Sequence, residues 1–291
     1  MPAVNASNSP QNPVINPVMG KYTAEEIREF ADTVRRDGFC ILRGHFPVDL
    51  ITEWRKAFEP LMAERIANGT ASARGPNRYY ISLPFTRPFA DTAVYEDEDI
   101  LAILDELADG DLVMPELASD TPLKDSDYQV IHRDHSLQSP DLPELDPSEP
   151  FQFAVNFPLV DVTEENGPFE IVRGSHLIED EVADEMVRSG EAEAKFEPLL
   201  MSAGDVMVRD VRGLHRGTPN RTDTPRTMVV VGYNRSGHKR PQLKINIPRV
   251  EWEHLSERGK QLLRLNPIVD SLEEADISEA YSNLYFLEKG Q

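Results

Sequence analysis

The stretch YQVIHRDH at residues 128–135 places two histidines and a carboxylate directly after an apolar, β-branched run. The run predicts a strand, and side chains two positions apart on a strand face the same side. His132 and Asp134 would therefore converge on one point, while Arg133 faces away. Two imidazoles and one carboxylate can occupy one face of an Fe(II) octahedron and leave the other positions open. The stretch thus predicts two of the three ligands of a non-haem iron site.

A second imidazole and an anion-binding group follow downstream. His215 completes the ligand set, and Arg226 offers a planar fork that fits a carboxylate with two hydrogen bonds. Taken singly, each residue has a plainer interpretation: His132 as a strand histidine bonded to Asp134, His215 as a loop histidine, Arg226 as a surface cation. With seven histidines and 51 acidic residues in the chain, about one histidine has an acid two positions on by chance. The prediction therefore rests on the presence of all four residues and on their order along the chain.

From residue 128 onward the chain changes from helical periodicity to short strands and turns, which predicts a sandwich or barrel. The predicted strands are residues 151–160, 169–173, 199–201, 206–209 and 227–233, with a polar helix or loop at 179–189. Upstream, a capping box at Thr23 begins a helix that Gly38 ends, and residues 39–43 form a strand. Further helices are predicted at 47–67, where Pro60 should cause a kink or break, and at 97–107. We expect the helices to flank the sheet.

Composition narrows the classes of function. A net charge of −21 argues against general nucleic-acid binding, because phosphate contacts need a basic surface. The single cysteine, Cys40, excludes an internal disulfide framework, fits a reducing compartment and is expected to be a buried strand thiol. No apolar run reaches the length of a membrane span, and residues 1–20 lack the features of a signal peptide. We therefore expect a cytoplasmic protein without nucleic-acid or membrane partners.

The charge is distributed unevenly along the chain. Residues 91–150 carry 18 acids and two bases, which we interpret as a solvated face. Residues 201–250 carry ten bases and three acids. This basic stretch surrounds His215 and Arg226, so its field would attract an anionic ligand to the candidate site.

Five motifs together resemble the phytanoyl-CoA dioxygenase-like (PhyH) branch of the Fe(II)/2-oxoglutarate oxygenases. They are Gln129–His135, Asn166–Pro168, Arg173–His176, Gly204–Val206, and His215–Asn220 followed by Arg226. The resemblance extends from about Thr23 to about Tyr233. It implies a double-stranded β-helix, which is a jelly-roll, cupin-like barrel whose mouth holds the metal.

The resemblance also implies roles for individual residues. His132, Asp134 and His215 would bind the iron, and Arg226 would grip the distal carboxylate of 2-oxoglutarate. Weaker transfers give cosubstrate contacts to three further residues, Gln129, Asn156 and Thr218. Gly217 departs from the pattern, because members often carry a hydroxyl residue there; Thr218 or a water is available to compensate. His135 lies three positions from His132 and would face away on a strand, so we interpret it as supporting the ligands or the fold, and His176, which resembles a turn residue of the family, as structural.

The implied activity uses Fe(II), 2-oxoglutarate and O2 to oxidise a C–H bond of a small organic molecule. Hydroxylation is the simplest outcome; desaturation, cyclisation, epimerisation and endoperoxidation stay open. Asp134 disfavours halogenation, since it fills the coordination position that a halide would need. The substrate is expected to be a natural-product intermediate that contacts Arg74, Asn77, Arg78 and Tyr79. The alternative is a non-catalytic or differently metallated jelly-roll binding protein.

The predicted domain organisation has two parts. Residues 1–20, rich in Asn and Pro, form a flexible segment. Residues 21–291 form one domain, with a helical part at 21–110, a jelly-roll core at 111–250 and a helical tail at 251–291. An aromatic run at residues 281–286 is expected to cover the barrel opening or to pack against a second subunit, so a homodimer through the tail stays open.

Overall fold

A computed structural model describes residues 20–239 and 244–271 of the chain. Its strands form a seven-stranded antiparallel sheet, a three-stranded antiparallel sheet and one short parallel pair. In chain order the elements are α1 (Ala24–Asp37), β1 (Phe39–Leu42), α2 (Val48–Ala67), β2 (Ser72–Ala73), β3 (Arg78–Ser82), α3 (Thr92–Tyr95), α4 (Glu98–Ala108), β4 (Leu112–Pro122), β5 (Gln152–Pro158), β6 (Phe169–Val172), α5 (Asp180–Ser189), β7 (Phe196–Leu199), β8 (Val206–Asp210), β9 (His215–Gly217), β10 (Met228–Arg235), β11 (Ile247–Pro248), α6 (Arg249–His254), α7 (Glu257–Leu263) and β12 (Ile268–Val269).

The strand order of the larger sheet is β1-β8-β5-β10-β4-β3-β2, and that of the smaller sheet is β7-β6-β9. One apolar cluster joins the two sheets: Ile171 of β6 and Leu199 of β7 pack with Met207 of β8 and Met228 of β10. The sheets therefore face each other. With helices against the outer face of the larger sheet, this arrangement confirms the predicted class, mainly β with flanking helices.

The main core lies on the outer face of the larger sheet. Along β5, Phe153, Val155 and Phe157 turn towards this core, and Trp54 of α2 packs edge-on against Phe157 with 5.3 Å between ring centroids. Because side chains alternate along a strand, the neighbours Gln152, Ala154 and Asn156 turn to the inner face instead. Both faces are covered, which explains why every residue of β5 is buried.

The first helix and strand form as the sequence predicts. Thr23 caps α1 in a reciprocal capping box with Glu26, and Gly38 ends the helix with a left-handed φ of 87°. Residues other than glycine rarely adopt this backbone conformation. Gly38 leads directly into β1, where Cys40 is buried, as expected.

Several expected elements differ from the structure. Of the kink or break expected at Pro60, the break is wrong, because α2 runs continuously from Val48 to Ala67, and Trp54 and Phe58 anchor it in the core. Residues 128–131 form no strand: Tyr128 and Val130 are exposed, and their backbone reaches β9 through isolated bonds and one bridge. The strand expected at 199–201 lies earlier, at Phe196–Leu199.

The expected helical part, residues 21–110, contains four helices and the expected strand β1, together with β2 and β3, which the sequence pattern does not predict. The β4 strand, in the larger sheet between β10 and β3, was not anticipated. The described part of the expected helical tail contains two short helices, α6 and α7. The N-terminal segment, the aromatic run at 281–286 and any dimer contact through it lie outside the described residues. No helix in the described ranges is long and apolar enough to cross a membrane.

Candidate active site

Three potential metal ligands converge on the inner face of the larger sheet. Asp134 Oδ1 lies 3.7 Å from His132 Nε2 and 3.6 Å from His215 Nε2. The ligand atoms of the three residues all lie within 4.8 Å of one another. A single divalent ion can contact all three, so the structure brings together the set that the sequence predicts.

Backbone pairing, rather than a regular strand, positions the two histidines. The amide N–H of His132 donates to the carbonyl of His215 at 3.0 Å, and the amide of His215 donates back at 2.9 Å. The amide of Asp134 donates to the carbonyl of Val211 at 3.1 Å. Residues 132–134 are thereby held against the segment that leads into β9, although they lie far apart in sequence.

In each imidazole, a hydrogen bond made by Nδ1 fixes the orientation of the ring. His132 Nδ1 lies 2.8 Å from the carbonyl oxygen of Val130, and His215 Nδ1 lies 2.9 Å from that of Gly213. Each Nδ1–H donates to its carbonyl, so each Nε2 presents a lone pair towards Asp134. Burial lowers the pKa of His215 to about 3. Its imidazole is therefore neutral at physiological pH, which is the form that binds a metal.

Asp134 is held as a carboxylate by a partner on β8. Its Oδ2 accepts a hydrogen bond from Arg209 Nη2 at 2.8 Å, which leaves Oδ1 to face the imidazoles. Burial alone would raise the pKa of Asp134, but the interactions with His215 and Arg209 outweigh it and hold the pKa below its ordinary value. Sequence reasoning missed Arg209; an arginine inside the otherwise apolar run VMVR was the available signal.

Arg226 lies immediately before β10 and lines the same cavity as the three ligands. Its Nε donates to the carbonyl of Gly167 at 2.8 Å, and its Nη2 lies 3.6 Å from Asp120 Oδ2. Burial lowers the pKa of Arg226 to about 10, with Asp120 opposing the shift, so the group stays cationic at neutral pH. A fixed cation in a buried position suits a carboxylate ligand.

The three weaker cosubstrate candidates make contacts within the protein. Gln129 Oε1 accepts from the amide of Gly217 at 2.8 Å. Asn156 donates to the carbonyl of Val229 and accepts from Arg209. The Thr218 hydroxyl donates to the carbonyl of Pro168 at 2.8 Å. Gln129 and Asn156 line the cavity and Thr218 does not.

Of the four substrate-contact candidates, Arg74 lines the cavity and the other three do not. The alternation of β3 explains this: Tyr79 packs against the main core, whereas Arg78 turns inward but lies fully buried. Asn77 precedes the strand and lies in a shallow groove on the opposite side. Tyr80 lines the cavity instead, and its hydroxyl donates to Glu116 Oε1 at 2.6 Å.

The cavity has a volume of about 740 Å³. Beyond the ligands and Arg226, its walls include Arg74 and Tyr80 near β3, Glu116 and Asp120 on β4, the inner faces of β5, β8 and β10, and the inner side of α5. His135 belongs to this wall. His176 does not, since its Nε2 donates to the carbonyl of Arg35 at 3.0 Å and it joins the end of α1 to the following turn.

A second group with metal-ligand chemistry consists of His45, Asp97 and Asp99. Its carboxylates already accept backbone hydrogen bonds, from Ile100 to Asp97 and from Lys21 and Tyr22 to Asp99. His45 Nε2 lies 3.0 Å from Asp97 Oδ1. These contacts tie the start of α1 to the start of α4, so we interpret the group as structural.

A known protein family and several solved structures are similar to this chain. A sequence model of the family described as phytanoyl-CoA dioxygenase (PhyH) matches residues 34–228. The epimerase SnoN, solved with Fe3+, α-ketoglutarate and nogalamycin RO, has a TM-score of 0.57 and 22% identity, over 73% of this chain and 84% of that chain. AviO1 from Streptomyces viridochromogenes Tue57 has a TM-score of 0.56 and 22% identity, over 75% and 99%.

HygX from Streptomyces hygroscopicus, solved with nickel, 2-oxoglutarate and hygromycin B, has a TM-score of 0.55 and 19% identity, over 86% of this chain and 99% of that chain. At such identities the likeness concerns the fold. The two facing antiparallel sheets are those of a jelly roll, which confirms the expected fold class.

Proposed function

Since the chain belongs to the phytanoyl-CoA dioxygenase (PhyH) family of Fe(II)- and 2-oxoglutarate-dependent oxygenases, we propose that it oxidises a C–H bond of a small natural-product intermediate, most simply by hydroxylation. One observation carries the proposal. His132, Asp134 and His215 turn one ligand atom each to one point, in a cavity that also contains the buried cation of Arg226.

The chain's own groups have separable tasks in this proposal. His132, Asp134 and His215 would hold Fe(II) through Nε2, Oδ1 and Nε2. The donor set fits, because the remaining nitrogen of each imidazole and the remaining oxygen of Asp134 are already bonded within the protein. Arg226 would bind the distal carboxylate of 2-oxoglutarate. Bound iron, with 2-oxoglutarate and O2, would supply the oxidising power while 2-oxoglutarate is converted to succinate and carbon dioxide.

The cavity supports a small organic substrate. Its volume of about 740 Å³ falls in the range of ligand pockets, roughly 300–1,000 Å³. Its wall combines the charged Arg74 and Glu116 with the apolar Ala183 and Val187 of α5. Nogalamycin RO and hygromycin B, which are bound in two of the similar structures, are likewise small molecules. A natural-product intermediate with rings and hydrogen-bonding groups fits such a wall.

Asp134 favours oxygenation over halogenation, since its carboxylate takes the coordination position that a halide would need. Epimerisation is the main competing outcome, because the similar SnoN is an epimerase. We further propose a cytoplasmic location, because the single cysteine is a free, buried thiol and fits a reducing compartment.

Turnover in labelled oxygen tests the proposal. The protein is loaded anaerobically with Fe(II) and 2-oxoglutarate, exposed to candidate natural products, and supplied with labelled O2; Asp134→Ala serves as the inactive control. We expect label in both succinate and product, as hydroxylation requires. Label in succinate alone points to desaturation, cyclisation or epimerisation, provided that exchange with water is excluded. Product formed without consumption of 2-oxoglutarate, or a fully active control, overturns the proposal and favours a differently metallated protein.

A further inference from the structure

Three charged side chains lie together at the cavity: the buried Arg78 of β3, the half-buried Asp120 of β4 and the buried Arg226 before β10. Arg78 Nη1 donates to Asp120 Oδ2 at 2.8 Å, and Arg78 Nη2 donates to the carbonyl of Thr218 at 2.6 Å. Arg226 Nη2 lies 3.6 Å from the same Asp120 oxygen. Both guanidinium groups are 1% exposed, whereas the Asp120 side chain is 21% exposed and faces the cavity.

Arg78 occupies the space that a side chain at position 217 would need. An ideal Cβ built on Gly217 would lie 2.3 Å from Arg78 Nη1 and 2.7 Å from Gln129 Oε1. Real Cβ atoms essentially never make contacts this short, so a side chain at position 217 would require the guanidinium of Arg78 to shift from its observed position. Gly217 stands where members of the family often carry a hydroxyl residue. The absence of a side chain at this position leaves the space that Arg78 occupies.

The distances from Asp120 to the two arginines show which of them it contacts more closely. Asp120 forms an ion pair with both arginines, because attraction between charges is strong where water is scarce. The contact with Arg78 is the closer one, a hydrogen bond of 2.8 Å, whereas Arg226 Nη2 lies 3.6 Å from the same oxygen. Arg78 thus shares the charge of Asp120 and holds its carboxylate at the longer distance from Arg226.

The net charge of the group matters as well. Two guanidinium groups and one carboxylate leave a single positive charge, which matches one further carboxylate. If Arg78 were neutral, Asp120 and Arg226 would cancel, and a second carboxylate would be repelled by Asp120. Removing one partner of a buried ion pair leaves the other uncompensated.

We propose that Arg78 is a positioning residue for the cosubstrate: by hydrogen-bonding Asp120 and sharing its charge, it keeps Asp120 from closing a short hydrogen bond on Arg226, which can then bind the distal carboxylate of 2-oxoglutarate. The inference rests on the proposed function, in that it takes 2-oxoglutarate as the ligand of Arg226. It assigns to Arg78 a role through Asp120 and Arg226, not a contact with the substrate.

A double-variant cycle tests the inference. Calorimetry under anaerobic conditions gives the dissociation constant of 2-oxoglutarate for the iron-loaded parent, Arg78→Met, Asp120→Asn and the double variant. We expect Arg78→Met to weaken binding tenfold or more. The double variant should return to within about threefold of the parent, because the competing carboxylate is then gone. Arg221→Met, at an exposed arginine, is the matched control and should bind as the parent does.

A purely structural role for Arg78 gives a different pattern. Arg78→Met binding as tightly as the parent, or a double variant no better than Arg78→Met, overturns the inference. If Arg78→Met does not fold, Arg78→Lys carries the test: it retains the charge and should bind within about threefold of the parent, and a loss of tenfold or more overturns the inference. A parent that binds iron but no 2-oxoglutarate contradicts the proposed function instead, and the inference fails with it.

Discussion

Backbone carbonyls set the orientation of the two imidazoles proposed to bind the metal. The acceptors at His132 and His215 are the carbonyl oxygens of Val130 and Gly213, each two residues earlier in the chain. Such an acceptor is present whatever side chain precedes the ligand. The orientation therefore depends on the local path of the backbone, which the reciprocal bonds between residues 132 and 215 maintain. The candidate ligands could be predicted from the sequence, but the backbone hydrogen bonds that orient their rings could not, because they depend on contacts between distant segments.

We expect His132→Ala and Asp134→Ala each to abolish turnover and most Fe(II) binding, because either change leaves two protein ligands for the ion. Iron content after anaerobic loading, together with succinate release, measures the effect. His254→Ala, at an exposed histidine of α6, controls for the loss of an imidazole as such. Parent-like iron binding by either ligand variant contradicts the assignment.

Arg226→Ala should raise the 2-oxoglutarate requirement roughly tenfold to a hundredfold, since loss of a charge-assisted hydrogen bond costs about 1.5–3 kcal/mol. Arg221→Ala should change it little, because Arg221 is exposed. The measurement is the 2-oxoglutarate dependence of succinate release. The reverse ranking of the two variants would move the role to Arg221.

At the scale of elements, sequence pattern was most informative where a strand or helix is long and has regular periodicity. The capping box of α1 and the apolar runs of β5, β8 and β10 predicted these elements near their observed bounds. The β4 strand was missed because Pro115 and Glu116 interrupt its apolar pattern, and Glu116 is there to face the cavity. Residues 128–131 have strand-like composition, but Tyr128 and Val130 are exposed, while Gln129 and Ile131 line the cavity and Ile131 packs against an apolar cluster with α5. Both differences arise from tertiary contacts.

The contact between α1 and the turn after β6 makes the stability of the fold depend on pH. Burial lowers the pKa of His176, whose Nε2–H bonds to Arg35 and whose Nδ1 is buried without a hydrogen-bond partner. The unfolded chain therefore takes up this proton first as the pH falls below about 6.5. The stability contribution is complete above that pH and declines below it, by at most about 1.4 kcal/mol per pH unit.

Urea unfolding of the metal-free protein at pH 7.5 and pH 5.0 tests this dependence. We expect the midpoint to fall at the lower pH, and the fall to be smaller in His176→Gln, which retains a donor for the Arg35 carbonyl but does not titrate. An equal fall in parent and variant would show that other groups cause the pH dependence.

At the scale of the molecule, the cavity joins parts of the chain that are remote in sequence. Residues 132–134, His215 and Arg226 approach it from different segments. A metal ion that contacts all three ligands would therefore bind the folded protein and not the unfolded chain. Binding of this kind stabilises the fold by mass action, by about 2.7 kcal/mol at a hundredfold excess over the dissociation constant.

We accordingly expect anaerobic Fe(II) at that excess to raise the melting temperature by roughly 5 °C or more. Scanning calorimetry of the parent with and without the metal gives the shift, and Asp134→Ala should show little of it. An equal shift in the variant would locate the stabilising metal elsewhere in the protein.

The position of Cys40 in β1 makes the only thiol of the sequence a reporter of unfolding. Its side chain is buried, and burial raises its pKa to about 12. Oxidants and alkylating reagents attack the thiolate, so the folded protein offers almost none to them at neutral pH. Unfolding exposes one ordinary thiol per chain. The rate of alkylation by iodoacetamide should therefore follow the opening of the fold, and disulfide-linked dimers in aerobic preparations would mark molecules that have already opened.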